Sequence, residues 1–555
     1  MNDLRTLLDA RRAATAKPDG VFCHFQQGGV SVEICHRELW AGAARYANLL
    51  RQRNVTPGSV VVILLPHSPD LLYSFLGAML AGAVPTFMPP PSSKQDPAHY
   101  WASHGRLFAR LEPGAVLTDA ANLAAIRGNL PEMEVPLLDQ TDAQGMSAEF
   151  FSPEANPDEI AFLQHSSGTT GLKKGVALSH RAVLRQIGSY RAALDLRADD
   201  RIVSWLPLYH DMGLIACFFL PLVTGTPVVM LDPFEWVVNP RLLFDAIKRH
   251  RGTLCWQPNF AFHHLCRTVR PSTEHDLSSM RAWIDCSEPC RAESLQLFAR
   301  TFAAAGVNAG QLQVCYAMAE TVFAVTQTPL GGAPYVLRVD PEILRTDRRA
   351  HEVSADSAHQ KIISTGPVVA GLQMRIVNEA GAVLADDVVG IIAIAGDFLF
   401  DGYYRLPDET SRKLRDGWYH TGDLGFLHAG ELYVTGRAHD LIIIHGRNCY
   451  AHELEFLVNQ VPGVHPGRNV AVGWFRPEIG SEELVIIAEV RAGSPPDLSG
   501  LAQTIKQAVL GETGLLVHDV HLVGPGWLVK TTSGKLSRGE NLNKYLLARA
   551  RASAA

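Results

Sequence analysis

The pattern of apolar segments predicts an α/β protein. It has a large, multi-subdomain N-terminal domain of layered parallel sheets with a small β-rich subdomain, followed by a small α+β C-terminal domain. Short β-branched runs such as Val60-Val61-Val62-Ile63 alternate with helical periods, which is the texture of parallel layering. Past about residue 360 that alternation gives way to short strands separated by Gly and Asp. At 555 residues the chain also exceeds what one hydrophobic core organises, so at least two domains are expected.

In chain order, residues 59–65 read as a strand, 70–79 as a helix and 83–87 as the next strand. Similar steps recur at 201–205 and 282–285. Residues 212–231 carry no charge over a length that would cross a bilayer, but Pro221, Gly225 and Pro227 interrupt them. They read as a helix to about Leu220, a turn, and a strand at 227–231, not as a membrane span. Strands at 391–394 and 432–434 belong to the β-rich unit, which ends near Gly436. Beyond it, 440–446 is a strand, 453–459 a helix and 483–490 a strand, and the Ala- and Arg-rich end from Leu546 reads as a frayed helix. The expected division is 1–436 and 437–555.

A formal charge of -6 is small for this length and gives no electrostatic case for nucleic acid or an anionic membrane as partner. The nine cysteines are odd in number and scattered, which suits a reducing compartment. Cys286 and Cys290 lie downstream of His263 and His264 but lack C-x-x-C spacing, so packed thiols are expected and not a zinc site. The residues from Met1 to Arg5 mix charges without the apolar run of a secretory leader, so a cytoplasmic protein is expected.

The densest chemistry is His165-Ser166-Ser167-Gly168-Thr169-Thr170-Gly171-Leu172-Lys173-Lys174-Gly175. Glycines let main-chain N–H groups turn toward an anion, hydroxyls add donors, and Lys173 or Lys174 neutralises charge, so the loop suits phosphate. Its order is not G-x-x-x-x-G-K-[ST], so the P-loop fold is not indicated. Alone, such a cluster is more often a solvated turn.

Further islands occur in order along the chain, and with them it resembles the adenylate-forming superfamily of acyl-CoA synthetases, nonribosomal adenylation domains, luciferases and fatty acyl-AMP ligases. The resemblance implies that Ser166, Ser167, Gly168, Thr169, Thr170, Gly171 and Lys174 hold the triphosphate of ATP, with Thr170 and Glu320 serving Mg2+. In Tyr316-Ala317-Met318-Ala319-Glu320-Thr321 the Tyr316 ring would stack on adenine beside Ala317 and Met318. Without the resemblance, Tyr316 and Glu320 read as one face of a helix. Relatives commonly have glycine where Ala317 stands. In Tyr419-His420-Thr421-Gly422-Asp423 the Asp423 carboxylate would accept from the ribose hydroxyls, and Arg437, at the hinge Gly436-Arg437-Ala438-His439-Asp440, would lie near ribose and phosphates. His439 stands where relatives usually carry Asp or Lys. Lys530-Thr531-Thr532-Ser533-Gly534-Lys535-Leu536-Ser537-Arg538 resembles the mobile catalytic loop, with Lys535 stabilising charge at the α-phosphate. His165 and Lys173 also depart from the usual residues.

On the acid side, Trp205-Leu206-Pro207-Leu208-Tyr209-His210-Asp211-Met212 sets His210 beside the substrate carboxylate, and the apolar run after it suits an apolar tail. The stretches 257–262 and Cys286-Ser287-Glu288-Pro289 look like the Pro-Asn-Phe-Ala-Tyr and Gly-Ala-Glu-Pro stretches of fatty acyl-AMP ligases, which carries Ser287, Glu288 and Pro289 over to the nucleotide site. Those enzymes have an insertion that disfavours coenzyme A; residues 336–363 occupy its place, with a helix expected at 339–344. The implied reaction is Mg-ATP-dependent activation of a fatty acid to an acyl adenylate, then transfer to the phosphopantetheine thiol of an acyl carrier protein in trans, since no Gly-x-Asp-Ser-Leu motif is present. The alternatives are an acyl-CoA synthetase using free coenzyme A and a non-catalytic nucleotide-binding regulatory protein.

Overall fold

The computed structural model describes residues 4–91, 97–150, 155–166, 173–444, 447–476, 478, 481–491, 493, 498–530 and 535–554. Among these, the strand order Val84–Phe87, Val60–Leu64, Ala115–Thr118, Leu137–Asp139 forms a parallel sheet. Val60 to Leu64 are all buried, as expected for a parallel strand covered on both faces. The helices His36–Gln52 and Pro69–Leu80 cross closely at Gly77, where a Cβ would lie 2.5 Å from Tyr46 Cβ.

A larger sheet runs Ala324–Gln327, Leu312–Ala317, Ala282–Asp285, Leu254–Gln257, Ile202–Ser204, Val228–Leu231, Val21–Gln27, Val30–Cys35. Its interior pairings are parallel and only the two outermost are antiparallel. The C-terminal ends of its parallel strands therefore open on one edge, where ligands bind in open α/β sheets.

The uncharged stretch keeps the expected order of helix, turn and strand, but its helical part begins as a π-helix and continues past Leu220 to Thr224. A π-helical segment Met212–Phe219 runs straight into the helix Leu220–Thr224, because Pro221 falls at the start of the new segment, where its missing N–H is not needed. Gly225, at φ 74°, ends it in a left-handed cap before the strand Val228–Leu231. Among the described residues no helix is long and apolar enough to cross a membrane.

The β-rich unit is an antiparallel sheet of Leu372–Val377, Gly390–Gly396, Trp418–His428, Leu414–Arg415 and Glu431–Arg437. From Ile442 onward the chain builds separate cores, one around Leu454, Ile486 and Ile505 and another around Val470, Ile487 and Tyr545. These belong to the strands Val464–Arg476, Ser481–Val490 and Val517–Val523 with the helices Ala451–Asn459 and Leu498–Thr513. The last helix, Arg538–Ala554, begins well before Leu546. Its start comes directly after the loop that carries Lys535, so the loop is tied to a regular element. The chain is thus a large α/β domain followed by a smaller α+β one.

Candidate active site

Adjacent parallel strands deliver the candidate residues to one edge. Leu254–Gln257 leads to Asn259, Ala282–Asp285 to Ser287 and Glu288, and Leu312–Ala317 ends with Tyr316. Tyr316 therefore closes a strand, and Glu320 sits in the tight turn Ala319–Thr321, so the two do not share a helix face. That turn is strained at the next residue. Val322, fully buried and β-branched, has φ 66°, and Phe323 N–H donates back to the Thr321 carbonyl at 2.7 Å. Such a backbone persists only where its surroundings enforce it, at about 1–3 kcal/mol.

Glu320 is 8% exposed, and the Tyr403 hydroxyl donates to its Oε1 at 2.7 Å. Asp423 is engaged at both oxygens: Tyr316 Oη donates to Oδ2 at 2.6 Å and Arg437 Nε to Oδ1 at 3.0 Å. Thr421 Oγ1 accepts from Asp423 N–H at 2.9 Å and donates to the Ile392 carbonyl at 3.0 Å, which fixes the strand that presents the carboxylate.

From the smaller domain Lys535 reaches this edge, its Nζ donating to the Ser287 carbonyl at 3.1 Å. Ser287 has φ 70°, a left-handed conformation that turns that carbonyl out of the strand direction. Burial lowers the Lys535 pKa and Arg437 adds to this, while Glu288 and Asp211 oppose. Glu288 accepts from Phe260 N–H at 3.0 Å, and burial raises its pKa against the pull of Lys535.

His210 comes after the strand Ile202–Ser204 in a loop tethered by Gln164 Nε2, which donates to the Tyr209 carbonyl at 3.0 Å. Burial, with the amines of Lys173 and Lys535 nearby, pushes its pKa down to about 3, so the ring is neutral. In the apolar run after it, Phe218 meets Phe22 and Phe75, and Phe219 stacks on Phe162 at 5.0 Å. An apolar cleft that ends at Tyr209 is lined by Leu65, Phe87, Met88, Leu208 and Phe234.

The phosphate loop joins the antiparallel strands Ile160–Ser166 and Lys174–Ser179, with Ser166 opposite Lys174. Ser167, Gly168, Thr169, Thr170 and Gly171 lie outside the described residues. Lys174 Nζ is paired with Glu409 Oε2 at 2.6 Å and lies over the Tyr403 ring. Burial drops the Lys173 pKa to about 7, and its carbonyl accepts from Arg110 at 2.8 Å. Burial, reinforced by Lys173, Arg110 and His104, holds His165 at about 3, and neither of its ring nitrogens has a partner among the described residues. Both departures from the family pattern thus make a buried, nitrogen-rich backing to the hairpin.

Three residues around the site were not singled out from sequence. Tyr403 holds Glu320, Glu409 holds Lys174, and Arg538 forks onto Glu455 at 2.7 and 2.6 Å while reaching Asp440 at 2.6 Å. Arg538 ends the segment that carries Lys535, and its position three residues past that lysine was the available signal. The expected inserted helix is present as Pro341–Thr346, N-capped by Asp340 and flanked by the paired strands Val336–Val339 and Gln360–Ile363. It touches the smaller domain through Arg345 on the Thr513 carbonyl at 3.1 Å and Gln360 on Glu453 at 2.6 Å.

Tyr403 holds one oxygen of Glu320, no partner of Oε2 is found among the described residues, and a single buried carboxylate with phosphate oxygens suits Mg2+. The sequence pattern of AMP-binding enzymes matches residues 10–404. The chain is 32% identical over 571 residues to the long-chain-fatty-acid AMP ligase FadD32 of Mycolicibacterium smegmatis, covering 91% of this chain and 88% of that one. It is 29% identical over 521 residues to the medium-chain-fatty-acid acyl-carrier-protein ligase JamA of Moorena producens, covering 89% and 87%. A solved chain from work on fatty acyl-adenylate ligases of E. coli and L. pneumophila superposes with TM-score 0.91 at 28% identity, covering 99% of both.

Proposed function

The chain belongs to the AMP-binding enzyme family, and from that membership we propose that it joins a fatty acid to AMP and passes the acyl group to the phosphopantetheine thiol of a separate acyl carrier protein. The observation that carries the reading is the Lys535 amine seated on the Ser287 carbonyl, at the strand edge that also holds Tyr316, Glu320 and Asp423. ATP is the co-substrate. In the first step a carboxylate oxygen of the acid bonds to the α-phosphorus, the α–β anhydride breaks, and pyrophosphate leaves. Lys535 meets the charge that grows on the phosphate oxygens, where a positioned donor is worth about 2.7–4 kcal/mol of barrier.

Asp423 orients the ribose, Tyr316 the base and Arg437 the sugar-phosphate junction. Glu320 would hold Mg2+, which when bound neutralises the triphosphate. Ser166, Ser167, Thr169, Thr170 and Lys174 receive the β- and γ-phosphates. Neutral His210 lies beside the acid, and the apolar cleft ending at Tyr209 supports an acid with an apolar tail.

The second half-reaction needs the smaller domain to move away with Lys535. We place its boundary between 1–436 and 437–555; at Gly436 a Cβ would meet the Tyr450 ring at 2.5 Å, so this position tolerates no side chain in the present arrangement. The 336–363 segment hydrogen-bonds the smaller domain and so restrains that movement, which supports a carrier protein over free coenzyme A as acceptor. JamA, a ligase of fatty acids to carrier protein by name, supports the same choice.

The test is a panel of fatty acids with ATP, read by pyrophosphate release, and then holo carrier protein or coenzyme A as acceptor. Pyrophosphate release with apolar acids and carrier acylation are expected. Rapid acyl-CoA formation would reassign the acceptor, and silence with every acid would sink the adenylation reading.

A further inference from the structure

A cluster of three thiols lies directly behind the candidate active site and has no part in the reaction above. Asp285 is in register with Val314 on neighbouring parallel strands, and continuing that register by one residue sets Cys286 opposite Cys315. Cys286 N–H still bonds the Gln257 carbonyl at 3.2 Å, so the sheet ladder extends to this residue. Aligned residues of adjacent strands point to the same face about 4.8 Å apart, within the Cα separation a disulfide accepts. Cys286 and Cys290 both act on the Cys315 thiol, so the three side chains are neighbours. Cys286 stands where the resembling Gly-Ala-Glu-Pro stretch has glycine.

Each cysteine of the pair adjoins a residue of the site. Cys286 precedes Ser287, whose carbonyl seats Lys535, and Cys315 precedes Tyr316, whose hydroxyl holds Asp423. We infer that Cys286 and Cys315 form a reversible disulfide that disables the site by drawing these two strand ends together. Two thiols and one molecule of hydrogen peroxide give one S–S bond and two waters. A dithiol reductant reverses this by thiol–disulfide exchange and leaves oxidised itself. Cys286 is wholly buried and Cys315 nearly so, whereas Cys290 is only partly buried and is the nearer to solvent. Burial raises the Cys315 and Cys290 pKa well above the usual thiol range, so the oxidation is slow and waits on local opening.

The experiment treats the purified full-length protein with graded hydrogen peroxide, then maps disulfides by peptide mass spectrometry and assays pyrophosphate release before and after dithiothreitol. A Cys286–Cys315 bond, at least tenfold loss of activity and full recovery on reduction are expected. Cys315→Ala and, as a second variant with the relatives' residue, Cys286→Gly should resist the same treatment, while Cys290→Ser stays sensitive. Mapping does not depend on the enzyme's reaction, so it reads the bond even if the adenylation reading fails. A bond mapped from Cys286 to Cys290, no bond at any peroxide concentration that leaves the protein folded, or equal inactivation of Cys315→Ala would overturn the inference.

Discussion

Arg538 and Asp440 are joined by an ion pair of 2.6 Å, with the rest of the guanidinium forked onto Glu455. The pair links the end of the proposed hinge segment to the residue three past Lys535, which ties the two parts of the chain together. All three side chains are largely buried, and removing one partner of such a set leaves uncompensated charge. Arg538→Ala should lower smaller-domain stability by about 3 kcal/mol and adenylation by about tenfold or more, with the ATP KM little changed. Thermal unfolding and pyrophosphate release check both; an unaltered turnover with lowered stability would separate the pair from loop positioning.

Lys535→Ala should cut acyl-adenylate formation by on the order of 100-fold or more while ATP binding stays within a few-fold. Single-turnover pyrophosphate release and calorimetry of ATP binding measure the two separately. Loss of binding with turnover preserved would reverse the assigned role.

Tyr403→Phe removes the hydroxyl that fixes Glu320 Oε1 and leaves the ring in place. The metal concentration for half-maximal activity should rise several-fold, because an unrestrained carboxylate holds a cation less well. Titrating Mg2+ at saturating ATP reads this, and an unchanged midpoint would mean Glu320 needs no such support.

Glu409→Gln releases Lys174 from its 2.6 Å partner. If that amine serves the phosphates, the variant should bind ATP about three- to tenfold more tightly, since the nucleotide no longer competes with a carboxylate. Weaker binding would indicate that Glu409 positions Lys174 for ATP.

Lys173 gives the sign of a pH effect. Burial moves its pKa from 10.5 to about 7, so between those values the unfolded chain binds a proton there that the folded protein does not. Stability therefore rises with pH across this window, and the burden of a charged, buried amine is fullest below about pH 7. Lys173→Met should raise the melting temperature at pH 6, with the gain shrinking toward pH 10. A gain of equal size at both pH values would show that packing, not protonation, is responsible.

Much of this was legible in the sequence because its chemistry sits in short segments. Tyr316, Glu320, Asp423 and Lys535 each stand in a compact motif, and the structure brings Tyr316 to Asp423 and Lys535 to the Ser287 carbonyl. Their supports were not legible because they come from far along the chain: Tyr403 is 83 residues from Glu320, and Glu409 is 235 from Lys174. The left-handed Val322 could not be foreseen, since a β-branched residue argues against that backbone. The uncharged run after His210 was ambiguous for another reason. Absence of charge fits a pocket wall and a packed core equally, and only contacts such as Phe219 on Phe162 distinguish them.

Tyr316 and Arg437 each donate one bond to a different oxygen of Asp423, so a ribose bound as proposed would meet a carboxylate already half engaged. In the proposed role each sugar hydroxyl would share an oxygen with a protein donor or displace that donor. The Tyr316 hydroxyl and the Arg437 guanidinium act as internal rivals of the ligand. A compound offering one hydroxyl, such as a deoxynucleotide, would dislodge less than both, so discrimination among sugars is set by the strength of the bonds the protein makes to itself.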